Sequence, residues 1–250
     1  KRLYVVPKPG EVSIDGRLTD WDLSGQITMF VVSETKETQR AEFAMMYDDE
    51  ALYVGAELRD PNPMMNRHDP QKEDYERGYW AADACQLRLG ISPEVPFPLD
   101  MTVWDNKYPK LQRDIVHLTL WHYTDGNQPC MRMKYGFEKG PEGGMYHIPD
   151  EYDNGIVPQG KFQAAYRKSD DGLGYTMEYR IPWETLGTDN PPQGGDLVPG
   201  TVQFNWSRPD GRKTAGGSSW AYDVMNHSGV TFQRASTWGK MIFSEQGDIP

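Results

Sequence analysis

Between Ala84 and Gly90 apolar and polar residues alternate. Cys85, Leu87 and Leu89 share one parity, and Ala84, Gln86 and Arg88 the other. A period of two marks a strand with one buried face. The same period runs through Ala41–Tyr47 and Leu52–Leu58, on either side of the polar turn Asp48-Asp49-Glu50. That pattern predicts a β-hairpin. Ile115–Tyr123 predicts another strand, with Val116, Leu118, Leu120 and His122 on one face and His117, Trp121 and Tyr123 on the other. Lys161–Lys168 and Gly174–Ile181 predict a second hairpin across Ser169-Asp170-Asp171-Gly172, and Val202–Trp206 and Trp238–Phe243 add two further strands. Pro182 at the start and Gly187 at the end of a short run between them predict one helical turn. Heptads, internal repeats and composition breaks are absent from the sequence. About nine or ten short strands with long loops predict an all-β chain, a two-sheet antiparallel β-sandwich in a single domain over 1–250. Residues 124–160, rich in Gly, Pro and charge, read as an irregular insertion with at most a small hairpin.

Two of these strands are dressed on the face away from their apolar side. Gln86 and Arg88 place an amide and a guanidinium on a rigid element, and Trp80 stands just before them. An indole plate beside planar hydrogen-bonding groups suits a sugar ring, whose C–H faces stack and whose hydroxyls need paired partners. The alternative is an ordinary sheet face with a solvated Arg88. His117, Trp121 and Tyr123 line up on the second strand, alternate residues about 7 Å apart. The long loop 59–78 adds Arg67, His68, Glu73 and Arg77 as candidates for a rim.

Charge narrows the partners. A formal charge of −11 argues against nucleic acid, which requires a basic face. No apolar run approaches the roughly 18 residues that span a bilayer. Lys1–Gly10 lacks the apolar region of a signal peptide, so a start at KRLYVV is compatible with a cleaved mature protein. Cys85 and Cys130 do not make a disulfide scaffold, and Cys85 sits on the apolar parity of its strand. The acidic turn Asp48-Asp49-Glu50 offers clustered oxygens to Ca2+, but it lacks the EF-hand spacing and reads first as a solvated turn. Nucleophile-elbow, zinc and phosphate-loop motifs are missing from the sequence. Asn205-Trp206-Ser207 and Asn226-His227-Ser228 match the glycosylation sequon.

Six motifs occur in order: IDGRLTDWD, YDDEALYVGAELRDP, YWAADACQLRLG, GYTMEYRIPWETLG, GTVQFNWS and STWGKM. Together they resemble family 9 carbohydrate-binding modules of the DOMON-like superfamily, over Ile14–Phe243. The resemblance implies a β-sandwich that clamps a sugar, often a chain end, between two aromatic rings. Trp80 matches the first clamp ring, and Phe232 stands at the position of the second. Gln86 stands where the family pattern has a carboxylate, and His117, with Arg113 just before it, stands where an Arg joins it. Such modules bind oligo- or polysaccharides, take up structural calcium, accompany carbohydrate-active enzymes in polysaccharide degradation, and are secreted, periplasmic or on the cell surface. Binding without catalysis is the function implied. Two alternatives remain open. One is a redox domain carrying haem b, with axial ligands drawn from the 12 Met and five His. The other is a lyase-like polysaccharide-active enzyme in which Arg88, Arg113, His117 and Tyr123 converge on a uronate.

Overall fold

The computed structural model describes residues 2–72, 79–99, 111–136, 148–213 and 238–250. Its strands are β1 (Arg2–Pro7), β2 (Ile27–Phe30), β3 (Arg40–Tyr47), β4 (Ala51–Arg59), β5 (Ala84–Gly90), β6 (Ile115–Tyr123), β7 (Gln128–Tyr135), β8 (Gln163–Lys168), β9 (Gly174–Pro182), β10 (Leu197–Asn205) and β11 (Gly239–Phe243). One helical turn, α1 (Trp183–Leu186), follows Pro182 and stops at Gly187, whose φ of 86° is the left-handed cap that glycine takes without strain. The chain is therefore all-β, as its alternation predicts. Strand β7 falls inside the stretch read as an irregular insertion, and β1 and β2 lie where no strand is expected.

The strands form one continuous ladder in the order β7-β6-β5-β10-β11-β1-β3-β4-β9-β8, with β2 added on β3. The ladder changes direction of travel within β1. Arg2–Val5 pair with β11, whereas Val6 and Pro7 pair with β3. Both pairings are parallel, which corrects the expectation of a wholly antiparallel structure. The reason is connectivity. Each of those neighbours is reached from β1 through a long stretch of chain, and tight turns, which enforce antiparallel pairing, join other strands. We call β7, β6, β5, β10 and β11 the first wing, and β2, β3, β4, β9 and β8 the second.

The two wings share one core. Leu87, Leu118 and Val202 of the first lie in the same buried cluster as Val54 and Met177 of the second. The rings of Phe43 and Phe204 meet edge-on, with centroids 5.7 Å apart. Each fully buried side chain of this size contributes about 2 kcal/mol. Local chemistry sets the turns. Asp48 accepts from the amides of Glu50 and Ala51 at 2.9 and 2.8 Å and so folds the β3–β4 turn. Gly55, in the middle of β4, lies against the Trp21 ring; a Cβ there would sit 2.8 Å from it. Trp21 closes a second buried cluster with Val6, Ala44, Met46, Ala51 and Tyr53.

Candidate functional site

Because Cys85, Leu87 and Leu89 point into the core, Gln86 and Arg88 project from the outer face of the first wing. The register builds a polar floor around them. Gln86 lies between Gln203 of β10 and Thr119 of β6, and Arg88 between Thr201 and His117. Arg88 Nη1 donates to Gln203 Oε1 at 3.3 Å and Nη2 to Gln86 Oε1 at 3.2 Å. Gln86 Nε2 donates to Thr119 Oγ1 at 3.5 Å. The guanidinium is thus held in one plane by two amides, and Arg88 is 2% exposed.

Trp80 stands at one end of this floor, on the short 3-10 turn Tyr79–Ala81. Its carbonyl accepts Asn205 Nδ2 at 2.6 Å, while its indole is 37% exposed. Asp83 fixes that turn. Its carboxylate accepts the amides of Met65 and Ser207, each at 2.6 Å, and ties β5 to the 60s loop and to the end of β10. Burial, then repulsion from neighbouring buried Asp60, pushes the Asp83 carboxyl well up. His117 is buried and packs edge-on against Trp238 at 5.3 Å. Burial and then the charges of Lys134 and Arg88 push its pKa well down, so the ring is neutral at pH 7. Two floor atoms, Gln203 Nε2 and Asn205 Oδ1, are buried without a hydrogen-bond partner among the described residues. One is a donor and the other an acceptor, the two roles that a hydroxyl group can fill.

No family model and no curated protein matches the sequence. Solved structures do match the fold. A carbohydrate binding module family 9 from Caldicellulosiruptor kristjanssonii in complex with cellotriose superposes with a TM-score of 0.59 at 19% identity, covering 100% of this chain and 98% of that one. The same kind of module from that organism in complex with glucose gives 0.57 at 18% identity, covering 100% and 99%. The chain has the fold of a family 9 carbohydrate-binding module.

Within that fold the residues singled out in the sequence divide. Trp80, Gln86, Arg88 and His117 come together on the floor. Trp121 shares the face but is buried in a small cluster with Ala84 and Cys130, its Nε1 donating to the His68 carbonyl at 3.1 Å. Tyr123, half-buried, lies toward Asp69 and Asp125; slight desolvation and then those charges push its pKa up. Arg113 sits exposed in the 3-10 turn Leu111–Asp114, before β6 begins. Six residues of extended strand, about 20 Å, separate His117 from Tyr123. The four residues of a lyase-like centre therefore do not converge. Phe232, Glu73 and Arg77 lie outside the described residues, and Arg67 pairs with Asp125 at 3.6 Å. Thr119, Gln203 and Asn205 are floor residues that sequence reasoning passed over. Their only signal was polar parity on strands whose other parity is apolar. Asn205 is 1% exposed and engaged with Trp80, which removes its sequon as a glycosylation point.

The acidic turn does not fit calcium. Asp48 pairs with Lys8 at 2.8 Å and Glu50 with Arg180 at 2.6 Å, so two of its three carboxylates are already engaged by cations. Among the described residues no three His, Cys, Asp or Glu groups cluster as metal ligands. Nor do the buried histidines fit an axial haem pair, because His117 and His122 point to opposite faces of β6 and each packs on an aromatic ring. Cys85 and Cys130 are both free and buried, and burial pushes the Cys130 thiol up to about 12. No helix among the described residues is long and apolar enough to cross a membrane.

Proposed function

We propose that the chain is a non-catalytic carbohydrate-binding module. An oligo- or polysaccharide, entering by its chain end, stacks on Trp80 and hydrogen-bonds the floor built by β5, β6 and β10. The observation that carries this reading is the floor itself. Gln203 Nε2 and Asn205 Oδ1 are buried unpaired among the described residues, on the face that also holds a half-open indole. An unpaired buried polar group costs about 1–3 kcal/mol. A sugar hydroxyl donates and accepts, so one ligand chemistry satisfies both atoms. The ligands named for the structures of like fold, cellotriose and glucose, support the same class. In this reading the two wings are the two sheets of a sandwich, and Phe232 supplies the second wall of the clamp. The module works outside the cytoplasm beside a carbohydrate-active enzyme that degrades polysaccharide.

A carbohydrate-array screen with and without calcium, followed by calorimetry on the hits, tests the reading. Trp80→Ala is expected to weaken binding by about 2 kcal/mol, roughly thirtyfold, because the stacking wall is an aromatic anchor. Its stability should change by no more than about 0.5 kcal/mol, since the indole is largely outside the core. Unchanged affinity in a folded Trp80→Ala protein would sink the assignment.

A further inference from the structure

Asp60 directly follows β4, and Asp83 directly precedes β5, so this pair joins the second wing to the first. The Asp60 amide donates to the Leu173 carbonyl at 3.0 Å, just before β9. Both side chains are buried, 1% and 3% exposed, and they lie against each other. Backbone amides supply three donors. Asn62 N–H reaches Asp60 Oδ1 at 2.8 Å, and the amides of Met65 and Ser207 hold the two oxygens of Asp83. Asp60 Oδ2 is left buried with no donor among the described residues. An ionised carboxylate accepts and cannot donate, so two of them side by side have no bond to hold them together. Among the described residues no cation pairs with either acid. Asn62 and Asn66 face them from the 60s loop, Ser207 from the end of β10, Tyr175 from β9 and Tyr166 from β8. All of these are uncharged, because burial keeps both tyrosine hydroxyls protonated. Nearby charges are engaged elsewhere. Arg59 pairs with Asp171 and Arg67 with Asp125, while Arg208 and Lys213 lie by Asp210.

We propose that Asp60 and Asp83 share one proton, and that this proton latches the sugar site and is lost as pH rises. The part that concerns the ligand deepens the sugar-binding reading and rests on it. A proton carried by Asp83 and donated to Asp60 Oδ2 leaves the pair with one negative charge and one charge-assisted hydrogen bond. Burial, then the charge of its neighbour, holds Asp83 well above the usual carboxylate range, and burial raises Asp60. The latch matters because of what Asp83 carries. It lies three residues after Trp80, and its oxygens tie that turn to the 60s loop and to the end of β10. Asn205, two residues before Ser207, holds the Trp80 carbonyl. Once the proton leaves to solvent, two buried negative charges repel, and the turn that sets the indole loses its anchor. Groups with raised values contribute fully at acidic pH, and that contribution is lost as pH rises through those values. Ligand affinity therefore falls from acidic to alkaline pH.

Asp60→Asn keeps one negative charge and gives Asp83 a permanent donor in place of the shared proton. Three comparisons of parent and variant decide the matter, and His117 is common to both proteins. Without ligand, infrared spectra at about pH 7 should show the carbonyl stretch of a protonated carboxylic acid in the parent and not in the variant. Without ligand, exchange at the Met65 and Ser207 amides should be about tenfold faster in the parent than in the variant at about pH 9, and equal at about pH 5. In calorimetry with cellotriose the parent should bind about tenfold more weakly than the variant at about pH 9, and equally at about pH 5. A parent spectrum without the acid band would overturn the shared proton. So would a band that appears only when calcium is chelated, since a cation would then bridge the acids. Parallel affinity profiles, with the infrared and exchange differences intact, would overturn the link to the ligand. If neither cellotriose nor any arrayed sugar binds at either pH while those differences persist, sugar binding is overturned and the latch stands.

Discussion

A single carboxylate, Glu178, gathers the N-terminal turn. Its Oε2 accepts the amides of Asp15 and Arg17, each at 3.0 Å, and that of Gly16 between them; its Oε1 takes the Trp21 indole N–H at 2.8 Å. Glu178 is fully buried, and burial raises its pKa despite four donors. Glu178→Gln places an amide –NH2 among N–H groups that need an acceptor. We expect it to lower stability by about 2 kcal/mol, read as the urea midpoint, and to leave ligand affinity unchanged. Parts of the candidate site were visible at this scale in the sequence, and parts were not. Gln86 and Arg88 announced themselves as polar residues on a strand whose other parity is apolar. Trp121 carried the same signal and is buried, because the backbone carbonyl of His68 covers it. Nothing in a one-dimensional pattern separates a ring waiting for a ligand from one beneath a loop. Gln203 and Asn205 look like solvated strand residues until the register sets them beside Gln86 and Trp80.

At the scale of elements, strands with one clean apolar face, β3, β4, β5, β6 and β9, were legible. The alternation also marked β8, β10 and β11, whereas β1, β2 and β7 fail the pattern for physical reasons. β2 has only four residues. β1 serves two neighbours, and its buried residues Leu3, Val5 and Val6 break the alternation. β7 is apolar on both sides at Cys130 and Met131, since the outer cluster around Trp121 covers one face and the core the other. Strand β7 is also held across the core. Tyr179 of β9 donates its hydroxyl to the Cys130 carbonyl at 2.8 Å, with the Trp121 carbonyl at 3.3 Å. Tyr179→Phe leaves that carbonyl buried and unpaired. It is expected to cost about 1.5 kcal/mol and to speed hydrogen exchange at the β7 amides more than at β4. Equal exchange in both strands would show that the contact does not tie the wings.

Over the whole molecule, pH acts through two opposed sets of buried groups. Burial pushes the carboxyls of Asp60 and Asp83 up, so their contribution is complete below about pH 4 and is lost as pH rises through the raised values. His117 is pushed down, so its contribution is present above about pH 6.5 and is lost as pH falls. The opposition flattens the stability profile between the two ranges. Asp60→Asn mimics the protonated acid and removes part of the falling limb. Relative to the parent, the variant should gain stability from pH 4 to pH 8, by about 1.4 kcal/mol for each unit by which Asp60 is raised, measured by urea unfolding at four pH values. A parallel pair of profiles would refute the shared burial of the two acids. The placement of β1 has a further consequence, for the order of assembly. This strand is the junction between the wings, and one of its edges is completed by β11, some 235 residues later in the chain. Contacts of that separation form late and slowly. During synthesis on the ribosome the second wing can pair β3, β4, β8 and β9 while β10 and β11 are still unmade. An early strand then waits with an open edge, and a chaperone or a neighbouring nascent chain has its longest opportunity to pair there.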